Sequence, residues 1–186
     1  MCVPGAGRRF PISEFTENRG PEKESGLKHK YRMLAAVSGA VILADQITKV
    51  LVEKTLALHQ SIEVIPGFFS LTHVLNPGGA FGFLARQSAS VRRLIFLGAT
   101  LGAMGLILYL YRKTPPTYNW LLAGFALIFG GAVGNLIDRI RMGKVVDFLD
   151  FYIGTLHWPA FNVADSAVSI GVTIFLFHLI FNRLPD

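Results

Sequence analysis

Charge is what this chain of 186 residues has least of: Asp, Glu, Lys and Arg make up 16% of it, where a soluble domain carries about a quarter. Acids are the scarcer sign. Of twelve, Glu14, Glu17, Glu22 and Glu24 fall in the first 24 residues, and only Asp45, Glu53, Glu63, Asp138, Asp147, Asp150, Asp165 and Asp186 follow. With 52% of residues hydrophobic, this shortage excludes a soluble globular domain and a disordered chain alike. Cysteine is almost missing. Cys2 alone rules out an internal disulfide framework and any cysteine-based zinc site. No G-x-S-x-G, H-E-x-x-H or phosphate-cradling loop occurs, so serine-elbow hydrolysis and intramembrane zinc proteolysis lack their parts. The net charge of +6 comes without a basic stripe interleaved with aromatics, so nucleic acid is not an expected partner.

What is present is apolar length. A helix crosses a bilayer in roughly 20 mostly apolar residues, and four segments qualify, at about 33–52, 94–111, 119–139 and 161–181. The expected fold is a membrane all-α domain of four transmembrane helices over 31–182. Residues 1–30 are polar, rich in Gly and Pro and without periodicity. They lack the apolar core and cleavage site of a secretory signal and read as a disordered cytoplasmic tail, with 183–186 as a short second tail. Basic residues near helix ends give the orientation. With the N-terminus inside, the inner side holds ten: seven up to Arg32, then Arg112, Lys113 and Arg183. The outer side holds six: Lys54, Arg86, Arg92, Arg93, Arg141 and Lys144. Both termini are therefore expected in the cytoplasm, with two outer segments. In the first, the alternation Ile62/Val64 then Phe69/Leu71/His73, broken at Pro66-Gly67, predicts a β-hairpin. The second, Ile140 to Ala160, reads as interfacial. Gly98/Gly102 and Gly130/Gly134 are spaced for close helix contact.

An ionised group at mid-membrane costs about 2.5–3.5 kcal/mol even on the lenient insertion scale, so polar residues in or beside the spans need a reason. Asp45 and Lys49, at i and i+4, form either an ion pair that anchors a helix end or a strut that also meets substrate. On the third helix Gly131, Asn135, Asp138 and Arg139 share a stripe. Asp138 reads as a structural ion-pair member beside Arg139, since an adjacent guanidinium keeps a carboxylate ionised. Asp147 and Asp165 differ: Asp147 has no opposite charge nearer in sequence than Lys144, and Asp165 has apolar neighbours and no local cation. Asp165 alone would read as an N-terminal cap or dipole partner, with Asn162 on its face. As a pair, the two fall at the outer ends of the third and fourth helices and can converge. Two carboxylates in a low-dielectric site do not both ionise easily, so the pair offers a base and an acid at one pH. That suits attack of water on an amide. Asp150, three residues after Asp147, is a competing partner ranked second.

Five segments, in order, resemble the bacterial lipoprotein signal peptidase family (signal peptidase II): Asp45-Gln46-Ile47-Thr48-Lys49, Asn76-Pro77-Gly78-Gly79-Ala80-Phe81, Gly130 to Arg139, Val145-Val146-Asp147-Phe148, and Phe161-Asn162-Val163-Ala164-Asp165-Ser166. Gly79 stands where the family more often has Ala. The resemblance covers about Tyr31 to Asn182. It implies a small extracytoplasmic β-cradle and an amphipathic outer segment beside the four helices. It also implies an aspartic endopeptidase of the bacterial inner membrane, with both termini cytoplasmic and the site on the extracytoplasmic side. Such an enzyme removes signal peptides from prolipoproteins, cutting before the diacylglyceryl-modified cysteine. The catalytic pair corresponds to Asp147 and Asp165, while Asp45, Lys49, Asn76, Gly131, Asn135, Arg139, Asn162 and Ala164 line the site and position substrate. No metal or cofactor is implied, membrane lipid surrounds the chain, a monomer is expected, and family members are targets of the cyclic peptide globomycin. Phe81 and Phe83 are expected to cover the dyad against water. The rival reading is a small proton-coupled transporter or channel in which Asp45, Asp138 and Asp165 form a relay; it predicts acids spread across the membrane depth.

Overall fold

The computed structural model describes residues 21–78, 87–181 and 183–184. Helix α1 spans Pro21–Thr55, β1 Ser61–Ile65, β2 Phe69–Asn76, α2 Ala89–Lys113, α3 Asn119–Met142, β3 Val145–Ile153, β4 Leu156–His157 and α4 Val163–Ile180. All four helices are long and apolar enough to cross a membrane. The expected four spans and small sheet are both present.

α3 is the hub. It packs against α1, α2 and α4 and is the most buried of the four. Its glycines explain how. A Cβ on Gly130 would sit 2.8 Å from the Ser38 backbone of α1, and one on Gly131 would collide with the Ala164 carbonyl of α4. Adjacent glycines thus open two faces to two neighbours, and backbones approach where side chains would hold them apart. Gly98 and Gly102 of α2 behave otherwise: a Cβ on either meets nothing within 4 Å, so that pair of glycines makes no helix contact here. α2 is mostly exposed, with Tyr111 its one fully buried side chain.

The N-terminal expectation is corrected in part. Residues 21–30 extend α1 rather than forming a tail, with Pro21 in the first turn, where its missing N–H costs no bond. Residues 1–20 lie outside the described residues. The extension is locked in place by Lys30, 3% exposed, whose ammonium donates to the carbonyls of Arg112 at 3.0 Å and Thr114 at 2.7 Å. These are C-terminal carbonyls of α2, the negative end of that helix. Tyr111 in turn donates its hydroxyl to the Lys30 carbonyl at 2.5 Å.

At the other end of the bundle lies an antiparallel sheet in the order β1-β2-β3-β4. The β1–β2 hairpin is where the alternation placed it, turning through Pro66 and Gly67, the latter at φ +74°. Its partner, β3, comes from the segment read as interfacial. β2 pairs with β3 so that Val74 faces Asp147 and Asn76 faces Val145, with an irregularity between Leu71 and Val74. One face of β3 turns Val146 and Phe148 into a cluster with Val52 of α1 and Leu56 just past its end. Alternation along the strand then turns Asp147 the other way.

Candidate active site

Helix α4 begins with Asn162 as its N-cap. Its side-chain oxygen accepts from the Asp165 backbone N–H at 2.9 Å, and the Asp165 carboxylate accepts from the Asn162 backbone N–H at 3.3 Å. This is a capping box, with Asp165 in the acceptor role that Glu or Gln usually fills. The capping reading of Asp165 is therefore right, and it does not displace the other. The Asn162 amide nitrogen, fixed by the same cap, donates to Asp147 at 2.7 Å. One residue thus binds both carboxylates, through its backbone to Asp165 and through its side chain to Asp147.

Two further amides complete the site. Asn135 of α3 donates to Asp165 at 2.8 Å, and Asn76 of β2 donates to Asp147 at 2.9 Å. In each case the oxygen of the amide is held by a group that can only donate. The Asn76 oxygen accepts from the Gly78 backbone N–H at 2.9 Å, a turn that carries Gly78 to φ +90° and seats it where a Cβ would fall 2.5 Å from the Phe96 ring. The Asn135 oxygen accepts from the Lys49 ammonium at 2.9 Å. An amide whose oxygen is so pinned must turn its NH2 the other way. Three asparagines consequently aim N–H donors at two acids, and among the described residues no cation touches either acid.

Lys49 owes its own place to a buried cluster below the site. It contacts Asp45 of α1 at 2.8 Å and Asp138 of α3 at 2.8 Å, all three side chains being essentially unexposed. Asp45 also accepts from the Ala164 backbone N–H at 3.0 Å, and Asp138 from the Val146 N–H at 3.2 Å. Asp45 and Lys49 thus form the ion pair of the first reading, and Lys49 also braces the site through Asn135. Asp138 is structural, as expected, but its partner is Lys49 rather than Arg139, whose guanidinium lies 5.8 Å over the Phe96 ring. Gly131 and Ala164 sit at the α3–α4 contact, where they let the helices close and supply the N–H to Asp45.

Asp147 lies on β3, five residues beyond the end of α3, not on the helix end where the spacing put it. Asp150 points away across the strand and pairs with His157 at 3.0 Å, which removes it as a partner. Gln46 was not singled out, yet its amide donates to Asp45 at 3.1 Å and to Asp138 and the Gly134 carbonyl, both at 3.2 Å. The available signal was an amide beside Asp45 in an apolar helix. The acids of the spans gather at one end instead of spreading through the depth, which counts against a relay. Gly79, Ala80, Phe81 and Phe83 lie outside the described residues.

Asp147 is 3% exposed. Burial pushes its carboxyl up from the ordinary range to about 6, and the charge of Asp165 adds to the rise, against the hydrogen bonds from Asn76 and Asn162 and the charge of Lys49. A carboxyl so placed holds a proton far more readily than one in water. Asp165 is half-buried and borders a groove of about 630 Å³ whose wall includes Trp158, Phe161, Ser166, Ser169 and Ile170. Among the described residues no group of three or more His, Cys, Asp or Glu is arranged to hold a metal ion.

The family model described as signal peptidase (SPase) II matches residues 37–181. The chain is 58% identical over 153 residues to the lipoprotein signal peptidase of Desulforapulum autotrophicum, covering 82% of this chain and 94% of that protein. It is 47% identical to the lipoprotein signal peptidase of Geobacter metallireducens, covering 83% and 94%. A solved bacterial membrane enzyme superposes with a TM-score of 0.71 at 32% identity, over 81% of this chain and 88% of that one.

Proposed function

The chain belongs to the signal peptidase II family and is a multi-pass bacterial membrane peptidase, and from that premise we propose that it removes signal peptides from prolipoproteins by aspartic catalysis, cutting before the diacylglyceryl-modified cysteine. Asp147 and Asp165 share one proton. The ionised member takes a proton from water as its oxygen attacks the scissile carbonyl carbon, while the protonated member donates to the carbonyl oxygen. Collapse of the diol breaks the C–N bond, and the proton delivered to nitrogen frees the amine of the modified cysteine. The apparent pKa values belong to the pair.

The observation that carries this reading is the set of pinned asparagines. Asn76, Asn135 and Asn162 offer only N–H dipoles to the two acids. They hold both carboxyl groups in place, and among the described residues no ammonium or guanidinium is in contact to keep both ionised. The groove beside Asp165 gives an extended peptide and its acyl chains a place against lipid. The site faces the extracytoplasmic side, with both termini cytoplasmic. That sidedness is supported by the described basic residues Lys28, Lys30, Arg32, Arg112, Lys113 and Arg183 at the opposite end and the positive-inside rule. The enzyme acts as a monomer without a cofactor.

The test is a comparison of two substrates. Purified protein is incubated with a diacylglyceryl-modified precursor and with its unmodified twin, with and without globomycin. Cleavage of the modified precursor alone, blocked by globomycin, is expected. Equal cleavage of both, or none of either, would defeat the reading.

A further inference from the structure

At the end of the bundle away from the acids, a groove of about 450 Å³ opens between the start of α3 and the end of α4, lined by Trp120, Thr173, Ile174, Phe177, His178 and Arg183. Thirteen residues of α4 separate Asp165 from His178, about 20 Å of helix, so the groove is remote from the site above. Its wall is apolar, and Arg183 stands at its mouth. The guanidinium lies 5.7 Å over the Phe177 ring. The Arg183 backbone N–H donates to the His178 carbonyl at 2.8 Å, and Leu184 packs onto the core around Tyr111, Leu121 and Leu122. The chain therefore folds back after α4, and the cation is anchored on both sides. The ion pairs among the described residues all lie elsewhere.

Charge says what fills this groove. Every acid whose side chain is described, from Asp45 to Asp165, belongs to the other half of the molecule. Trp120, 76% exposed, sits where indole rings favour the membrane–water boundary. An apolar trough at that depth meets acyl chains, and a guanidinium with no ion pair among the described residues meets headgroup phosphate. A zwitterionic headgroup would bring its own cation next to Arg183 with no described acid to receive it, whereas a net-negative headgroup has no such conflict. We propose that this groove binds one anionic phospholipid, with an acyl chain along Thr173, Ile174 and Phe177 and the phosphate at Arg183. The site is independent of the cleavage chemistry.

The full chain in a neutral detergent is titrated with dioleoylphosphatidylglycerol, dioleoylphosphatidylcholine or inorganic phosphate, and retained lipid is counted by native mass spectrometry. One phosphatidylglycerol is expected, held roughly fivefold tighter than phosphatidylcholine, the effect of one cation near an anionic surface. Arg183→Gln is expected to erase that preference and Arg183→Lys to keep most of it. Thr173→Trp is expected to weaken both lipids, and Lys113→Gln to change neither. Each variant is first matched to the parent by melting temperature without lipid, and a variant that fails this match is replaced by Arg183→Ala or Thr173→Phe. Equal affinity for the two lipids, a preference that survives loss of Arg183, an equal loss from Lys113→Gln, or saturation by inorganic phosphate alone would each overturn the proposal.

Discussion

Asp45 and Asp138 share an ammonium, whereas Asp147 and Asp165 share an amide. Both pairs are held by α1, α3, α4 and the sheet within one small volume, and both rest on backbone N–H groups as well. The difference is the group between them. Lys49 supplies a full positive charge at 2.8 Å to each of the lower acids, which ties them into one buried ion-pair cluster. Asn162 supplies only dipoles to the upper two, which holds them without discharging their mutual repulsion. Two acids side by side become a strut with a cation between them and, on the proposed mechanism, a proton-transfer pair without one.

The hardest way to break this contrast is at the upper pair. Asp147→Asn and Asp165→Asn are each expected to lower kcat for precursor cleavage by roughly 10⁴-fold, the upper range for proton transfer by a positioned group, while the protein still inserts. Residual cleavage within tenfold of the parent in either variant would remove that acid from the chemistry. The lower pair should answer in stability. Lys49→Met leaves two buried carboxylates with no counter-ion and is expected to destabilise by about 3–5 kcal/mol. Adding Asp45→Asn and Asp138→Asn should recover part of the loss. Thermal unfolding in detergent reads both, and a Lys49→Met protein as stable as the parent would show that the ammonium is not what holds the cluster.

The smallest effect is on pH. Asp147 is raised to about 6 in the folded protein, above its unfolded value near 3.9. Its protonated form therefore favours the fold, a contribution present at low pH and lost as pH rises through about 6. The melting temperature should rise between pH 8 and pH 5, and Asp147→Asn should flatten that rise. Asn76 opposes the shift, so Asn76→Ala should move the alkaline limb of the kcat/KM profile upward by about one unit, the size of one charge-assisted hydrogen bond. A limb that stays in place or moves down would mean that Asn76 does not act on Asp147.

The sequence carried the spans, the hairpin and the two acids, because apolar length, period-two alternation and a carboxylate without a neighbouring cation are all local signals. It did not carry β3. Val145 to Ile153 alternates only in part, and its strand character comes from pairing with β2, a partner about 75 residues away that no window sees. Nor did it carry the partner of Asp138. Arg139 is adjacent in sequence but turns to Phe96, and Lys49 wins because α1 packs face to face with α3 where Gly130 and Gly134 let it approach. Gln46 was missed for the same reason, since its acceptors lie on another helix. The tail was misread at 21–30 because Lys30 looks solvated in sequence and is buried by carbonyls of α2.

Asn162 has a consequence for the birth of the molecule. The residue that starts the fourth span is also the clasp that joins Asp147 to Asp165, so the machinery does not exist until that span has entered the bilayer. A ribosome-bound chain with three spans inserted carries Asp147 but neither its partner nor its clasp. On the proposed mechanism, proteolysis is therefore withheld until the insertion step that completes the bundle.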